Sequence, residues 1–331
     1  MAAGDLIKGV LYALGAGLMW GLVFVAPALL PDYPPVALAF GRYLAFGLVA
    51  LLLALPDRQR LRALRRADWV EALKLAAVGN IIYYLFLSGG IQAAGVPLAS
   101  VLIGTLPVVI AVCANWHDRS LPWRRLAPSL LLIGAGIACV NRAEMALLAP
   151  GQGPAYALGA ALTAVAVAAW TWYPIRNARW LKAHPGLSAT TWTTAQGLAT
   201  LPLAALGWAG YVLWRGLAPS AQAGAWGLGP RPALFSLLML AMGLFASWLG
   251  TLAWSRASKL LPTSLTGQLI VFETLSALAY GFAQRGELPG WTTGAGIALL
   301  VGGVAMGVAA FGPRPAAAQT GAALGQAAGG H

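Results

Sequence analysis

In this chain of 331 residues, 59% are hydrophobic and only 9% charged, with a mean hydropathy of +0.73. A soluble domain carries about 25% charged residues; here there is too little polar surface to cover the apolar content in water, so the solvent this sequence requires is lipid. The net charge of +12 does not point to nucleic acid, because Lys and Arg fall in short clusters between apolar runs and do not gather on one face.

Crossing about 30 Å of hydrocarbon takes roughly 20 apolar residues in a helix. Ten segments of that kind are predicted in chain order: Gly9–Leu30, Val36–Leu55, Leu75–Ala94, Val96–Trp116, Leu126–Val140, Ala155–Tyr173, Leu187–Trp214, Pro232–Trp254, Leu261–Phe282 and Trp291–Phe311. The first is too long for the apolar stretch of a signal peptide and has no small-residue cleavage site, so it reads as a retained helix. The fifth is short unless it starts near Trp123. The seventh opens on a polar stretch, Ser188 to Gln196, suited to water or protein and not to lipid. Residues 314–331, rich in Ala, Gly and Gln, read as a disordered cytoplasmic tail.

Cytoplasmic loops retain Lys and Arg. With ten spans, sixteen of the 21 basic residues fall on the side of the N-terminus: Lys8, the run from Arg58 to Lys74, Arg119, Arg124, Arg125, Arg176, Arg179, Lys182, Arg256, Lys259 and Arg314. Four fall on the other side, Arg142, Arg215, Arg231 and Arg285, and Arg42 lies inside the second span. Both termini are therefore expected in the cytoplasm.

The two halves repeat one order of features. Val96-Pro97-Leu98-Ala99-Ser100 opens the fourth span, and Leu121-Pro122-Trp123 precedes Leu131-Leu132-Ile133-Gly134. Leu261-Pro262-Thr263-Ser264 opens the ninth, and Leu288-Pro289-Gly290-Trp291 precedes Leu299-Leu300-Val301-Gly302. An odd number of helices per half, five, sends the second copy into the membrane from the opposite face. The expected fold is thus an all-α integral membrane protein of two inverted five-helix repeats, residues 1–148 and 149–313, with a substrate site near the midplane between them.

Ala39-Phe40-Gly41-Arg42-Tyr43, then Ala169-Trp170-Thr171-Trp172-Tyr173 with Arg176, then Ser255-Arg256-Ala257, Leu261 to Thr266 and Gly286-Glu287 together resemble the drug/metabolite transporter superfamily, in particular its EamA-like ten-helix exporters. Among these the overall likeness is to YddG-like amino-acid exporters. The resemblance implies an inner-membrane secondary transporter working by alternating access, exporting small amphipathic metabolites such as aromatic or hydrophobic amino acids, and functional as a monomer. Cationic drugs or other metabolites are the alternative cargo; a membrane-embedded enzyme or a channel is the alternative class. No Walker A sequence indicates an ATP motor. His117, His184 and His331 are scattered and Cys113 and Cys139 sit alone in apolar segments, so neither a metal, a cofactor nor a disulfide is expected.

Polar groups in mid-span face protein or a watery cavity. Asn80 and Tyr84 lie one turn apart with Tyr83 adjacent, able to hold the polar end of a substrate or, equally, to join helices. Trp20 and Trp170 occupy comparable places in the two halves and could sandwich a ligand or attract a cation, or anchor the helices at an interface. Ser247, Trp248, Thr251 and Gln268 complete the candidate binding set, with close packing as their plainer reading. Arg42 and Glu273 are the two deepest charges, for coupling, substrate ends or structure.

Overall fold

The computed structural model describes residues 3–25, 29–30, 32–146, 153–217, 227–286, 288 and 290–311; Glu287, Pro289, Arg314 and the expected tail at 314–331 lie outside the described residues. Within them the chain is all-helical. The helices are α1 (Ala3–Gly21), α2 (Pro35–Ala54), α3 (Arg58–Arg62), α4 (Arg66–Leu75), α5 (Tyr83–Ile103), α6 (Leu106–Asp118), α7 (Trp123–Ala146) and α8 (Gly153–Ala183). They continue with α9 (Ala189–Leu217), α10 (Pro232–Met242), α11 (Gly250–Leu260), α12 (Thr263–Leu269), α13 (Val271–Arg285) and α14 (Trp291–Phe311). Among the described residues, six stretches are long and apolar enough to cross a membrane: Pro35–Ala54, Arg66–Ile91, Gly153–Ala183, Ala189–Gly216, Pro232–Leu260 and Trp291–Phe311.

Two wide π-helical turns interrupt otherwise regular helix. Ala76–Ile82 joins α4 to α5, and Gly243–Leu249 joins α10 to α11. Two further breaks fall at Gly104–Thr105, between α5 and α6, and at Ile270, between α12 and α13. The expected boundary between Ala94 and Val96 is not a break in helical backbone; the interruption comes at Gly104–Thr105, two residues before Pro107, whose missing N–H relaxes the turn there. The expected end at Tyr173 is also displaced. Pro174 sits inside α8, which continues to Ala183; a membrane helix can carry an internal proline, since neighbouring groups or a local adjustment can satisfy the carbonyl that it frees.

Long-range packing is pairwise. The α4–α5 stretch lies along α8, α1 along α11 and α13, α2 along α9, α6 along α12 and α7 along α14. Small residues set the close approaches: a methyl group added at Gly90 would meet the Gly159 carbonyl at 3.0 Å, and one at Gly136 the Gly296 carbonyl at 2.9 Å. One end of the bundle is tied by polar contacts that converge on the end of α8. Arg176 pairs with the buried Glu71, Arg179 lies 3.6 Å from Asp118, and Lys182 Nζ donates to Thr263 Oγ1 at 2.9 Å. The other end is tied by Arg231 to Asp32 at 2.8 Å and by Tyr33 donating to the Leu228 carbonyl at 2.8 Å. Outward-facing leucines and the tryptophans at helix ends, Trp116, Trp123, Trp214 and Trp291, are exposed, as a lipid-facing surface with interfacial anchors requires.

Candidate functional site

The centre of the bundle holds a connected group of aromatic rings. Trp20 of α1 meets Trp170 of α8 edge-on at 5.6 Å and Trp254 of α11 at 5.2 Å. Trp170 is sandwiched: Tyr83 stacks on it at 4.6 Å and Tyr173 at 5.1 Å. The row continues from Tyr83 to Tyr84 at 6.4 Å and on to Tyr43 of α2 at 6.2 Å. All seven rings are buried, and Trp170 Nε1, a buried donor, has no partner among the described residues.

Charge enters beside the tyrosines. The buried Arg42 guanidinium lies 5.2 Å from the Tyr43 ring centre and 6.0 Å from that of Tyr84, and its Nε donates to Ser247 Oγ at 3.0 Å. Glu273 of α13 feels both Arg42 and Tyr83 electrostatically, yet forms no ion pair with Arg42 among the described residues, and its Oε2 is buried without a hydrogen-bond partner. The unpartnered Glu273 oxygen keeps hydrogen-bonding capacity for a third group.

A polar rim runs along α9. Asn80 Nδ2 donates to Thr200 Oγ1 at 3.0 Å, and Trp248 Nε1 to Thr194 Oγ1 at 3.3 Å. Tyr173 donates to Gln196 Oε1 at 3.0 Å, with Thr251 adjoining its phenol, and Trp192 Nε1 donates to Asn177 Oδ1 at 2.8 Å. Both π-helical turns face this region: one carries Asn80, the other Ser247 and Trp248. Such turns widen a helix and re-aim its side chains, and they recur at functional sites.

Of the expected residues, Trp20, Arg42, Asn80, Tyr83, Tyr84, Trp170, Ser247, Trp248, Thr251 and Glu273 fall in or beside this group. Gln268 does not. It is fully buried elsewhere, its amide oxygen accepting from Ser129 Oγ of α7 at 2.6 Å, in a seam where Ser129 also donates to the Gly303 carbonyl of α14. That contact is interhelical hydrogen bonding, the plainer of its two readings. Trp254, Tyr173 and Tyr43 were missed. Tyr173 follows Trp170 by three residues on the same helical face, a signal hidden by ending the helix at Tyr173; Trp254 was taken for a helix end and lies within α11.

Comparison with known proteins adds a second line of evidence. A model of the EamA-like transporter family matches residues 7–142. The inner membrane protein YtfF of Escherichia coli (strain K12) is 48% identical over 315 residues, 94% of this chain and 98% of that one. An uncharacterized transporter of Synechocystis is 28% identical over 99 residues, 30% of each chain. A solved crystal structure shares the fold, with a TM-score of 0.67 at 20% identity over 90% of this chain and 95% of that one.

Proposed function

The chain belongs to the EamA-like transporter family, and from that membership we propose that it is an inner-membrane secondary transporter exporting small amphipathic metabolites, foremost aromatic or hydrophobic amino acids. The observation that carries this reading is the juxtaposition of Trp20, Trp170, Tyr83 and Tyr173 with the unjoined charges of Arg42 and Glu273. An amino acid has the matching parts: a carboxylate for the guanidinium, an ammonium for the carboxylate, and an apolar side chain for the ring faces. The inner-membrane placement follows the relative named as an inner membrane protein.

Ten spans in two inverted five-helix repeats, with both termini in the cytoplasm, are part of the same proposal. Exchanging the halves exchanges α8 with α1 and the α4–α5 stretch with α10–α11; the packed pair α5 with α8 then becomes α11 with α1, also a packed pair. The two π-helical turns exchange with each other, as do the breaks at Gly104–Thr105 and Ile270. This pattern supports alternating access by rocking one set of helices against the other around the ring cluster.

A second reading has its own support, since an unpartnered Glu273 oxygen near the Tyr83 ring suits a lipophilic cation. Counterflow in proteoliposomes separates the two. With unlabelled amino acid preloaded, uptake of labelled tryptophan, phenylalanine or leucine is expected to saturate and to accelerate over empty vesicles. Acceleration by quaternary ammonium ions alone would replace the amino-acid reading with the cationic one; uptake that neither saturates nor accelerates would remove the carrier reading.

A further inference from the structure

A second site lies at the end of the bundle where the α8 contacts converge. A cavity of about 710 Å³ opens between α3, the start of α4 and the turn joining α8 to α9, lined among others by Arg60, Arg65, Asp68, His184, Ser188 and Thr191. Its titratable lining is two arginines, one aspartate and a histidine. The one acidic group among these six, Asp68, accepts from the Arg65 backbone N–H at 2.8 Å, and Arg60, largely exposed, makes a long ion pair of 3.9 Å with Asp57.

The backbone adds partial positive charge. α9 runs for 29 residues from Ala189, and its first-turn N–H groups, which have no acceptor one turn back, carry the positive end of the helix dipole to this wall. The carbonyls of the preceding turn are engaged elsewhere, since Lys259 Nζ takes hydrogen bonds to the Pro185 oxygen at 2.9 Å and the Leu187 oxygen at 2.6 Å. His184 is oriented by Nδ1 donating to the Trp180 carbonyl at 2.9 Å, which leaves Nε2 as its other ring nitrogen. Thr191, only 2% exposed, stands on the wall with a buried hydroxyl that has no partner among the described residues. An unpartnered hydroxyl in the first turn of a helix, in a cavity that Arg60 and Arg65 also line, is a donor lacking an acceptor.

We propose that this cavity binds a phosphate-bearing anion, held by Arg60 and Arg65 and by the first turn of α9 with the Thr191 hydroxyl. The volume leaves room for more than the phosphate group, so the ligand is either the headgroup of an anionic phospholipid or a soluble phosphate ester. The site stands apart from the aromatic cluster and does not depend on which substrate is transported.

The test uses the full-length protein in nanodiscs, with backbone hydrogen–deuterium exchange read over residues 58–68 and 184–192. Three conditions are compared: phosphatidylcholine alone, phosphatidylcholine with phosphatidylglycerol, and phosphatidylcholine with glycerol phosphate in solution. Protection of both segments by phosphatidylglycerol alone assigns the site to a lipid headgroup; protection by glycerol phosphate assigns it to a soluble ester. In Arg65→Gln, which removes the charge, and the isosteric Thr191→Val, each checked as a monodisperse sample, the concentration needed for protection is expected to rise about tenfold per lost hydrogen bond to a charged group. Absence of protection by either ligand, or unchanged protection in both variants, overturns the proposal. Because exchange is the readout, the result is independent of whether amino acids are carried.

Discussion

Trp170 is the residue with the most concentrated set of ring contacts, pressed between Tyr83 and Tyr173 and met edge-on by Trp20. Each aromatic pair is worth about 0.5–1.5 kcal/mol beyond buried area, and a substrate ring that replaces one of them draws on the same energy. Trp170→Ala is therefore expected to raise the concentration for half-maximal counterflow by roughly tenfold, while Trp170→Phe retains most of the affinity; equal effects would remove the ring-face role. Glu273 is tested by charge alone. Glu273→Gln keeps the shape and removes the negative group, so counterflow of zwitterionic amino acids is expected to fall while the protein stays folded, and an unchanged rate would exclude the carboxylate from substrate binding. Gly250 has a packing reason to lack a side chain. An added methyl group would lie 2.7 Å from Trp20 Nε1, an overlap with a ring held by its neighbours. Gly250→Ala is expected to cost about 1–3 kcal/mol, seen as a lower thermal midpoint in detergent.

At the scale of elements, hydrophobic length located most helices, and Trp291–Phe311 ends where the sequence places it. The expected sixth span ends at Tyr173, but α8 runs on through Pro174 to Ala183, so its last ten residues, with Arg176, Arg179 and Lys182, are helix where a loop was expected. The Gly95-Val96-Pro97 stretch looked like a boundary and is helical, whereas the break lies at Gly104–Thr105. The π-helical turns left no trace in composition, because a seven-residue widening keeps the same apolar residues and changes only their angular positions. For the same reason Asn80, Ser247 and Trp248 stand out as polar or aromatic in mid-span, whereas Thr200, the partner of Asn80, reads as ordinary helix and Thr194, the partner of Trp248, only as part of the polar stretch Ser188 to Gln196. Hydrogen-bond partners across helices depend on rotation about each axis, which spacing along one segment does not contain.

The extended α8 also makes its end testable. Arg176 joins Glu71, whose side chain is only 3% exposed, through two hydrogen bonds. Removing one member leaves the other half-desolvated, so Glu71→Gln is expected to cost on the order of 1–3 kcal/mol, and the exchange Glu71→Arg with Arg176→Glu to recover part of it. Thermal midpoints of the two singles and the double form the cycle that measures the coupling. Additive losses would mean that the pair does not hold α4 to α8.

For the whole molecule, the distribution of charge and the pairing of helices bear on the same question, which face meets the cytoplasm. Arg58 to Arg66, Arg176, Arg179, Lys182 and Lys259 gather at the end where α8 terminates, and the opposite end is tied mainly by the Asp32–Arg231 pair. Basic residues resist translocation, so the α8 end is the one expected inside the cell. Leu288, 91% exposed, precedes α14 at the other end, and Arg60 is exposed on α3. With Cys113 and Cys139 replaced by alanine, Leu288→Cys is expected to react with a membrane-impermeant maleimide in intact cells, and Arg60→Cys only after permeabilisation. The reverse pattern would invert the molecule: the Arg176–Glu71 tie would then close the outer face, and the phosphate-binding cavity would open away from the cytoplasm. Export requires the first orientation only through the direction of the substrate gradient, so the labelling result and the counterflow result can fail separately, and each identifies which part of the reading is at fault.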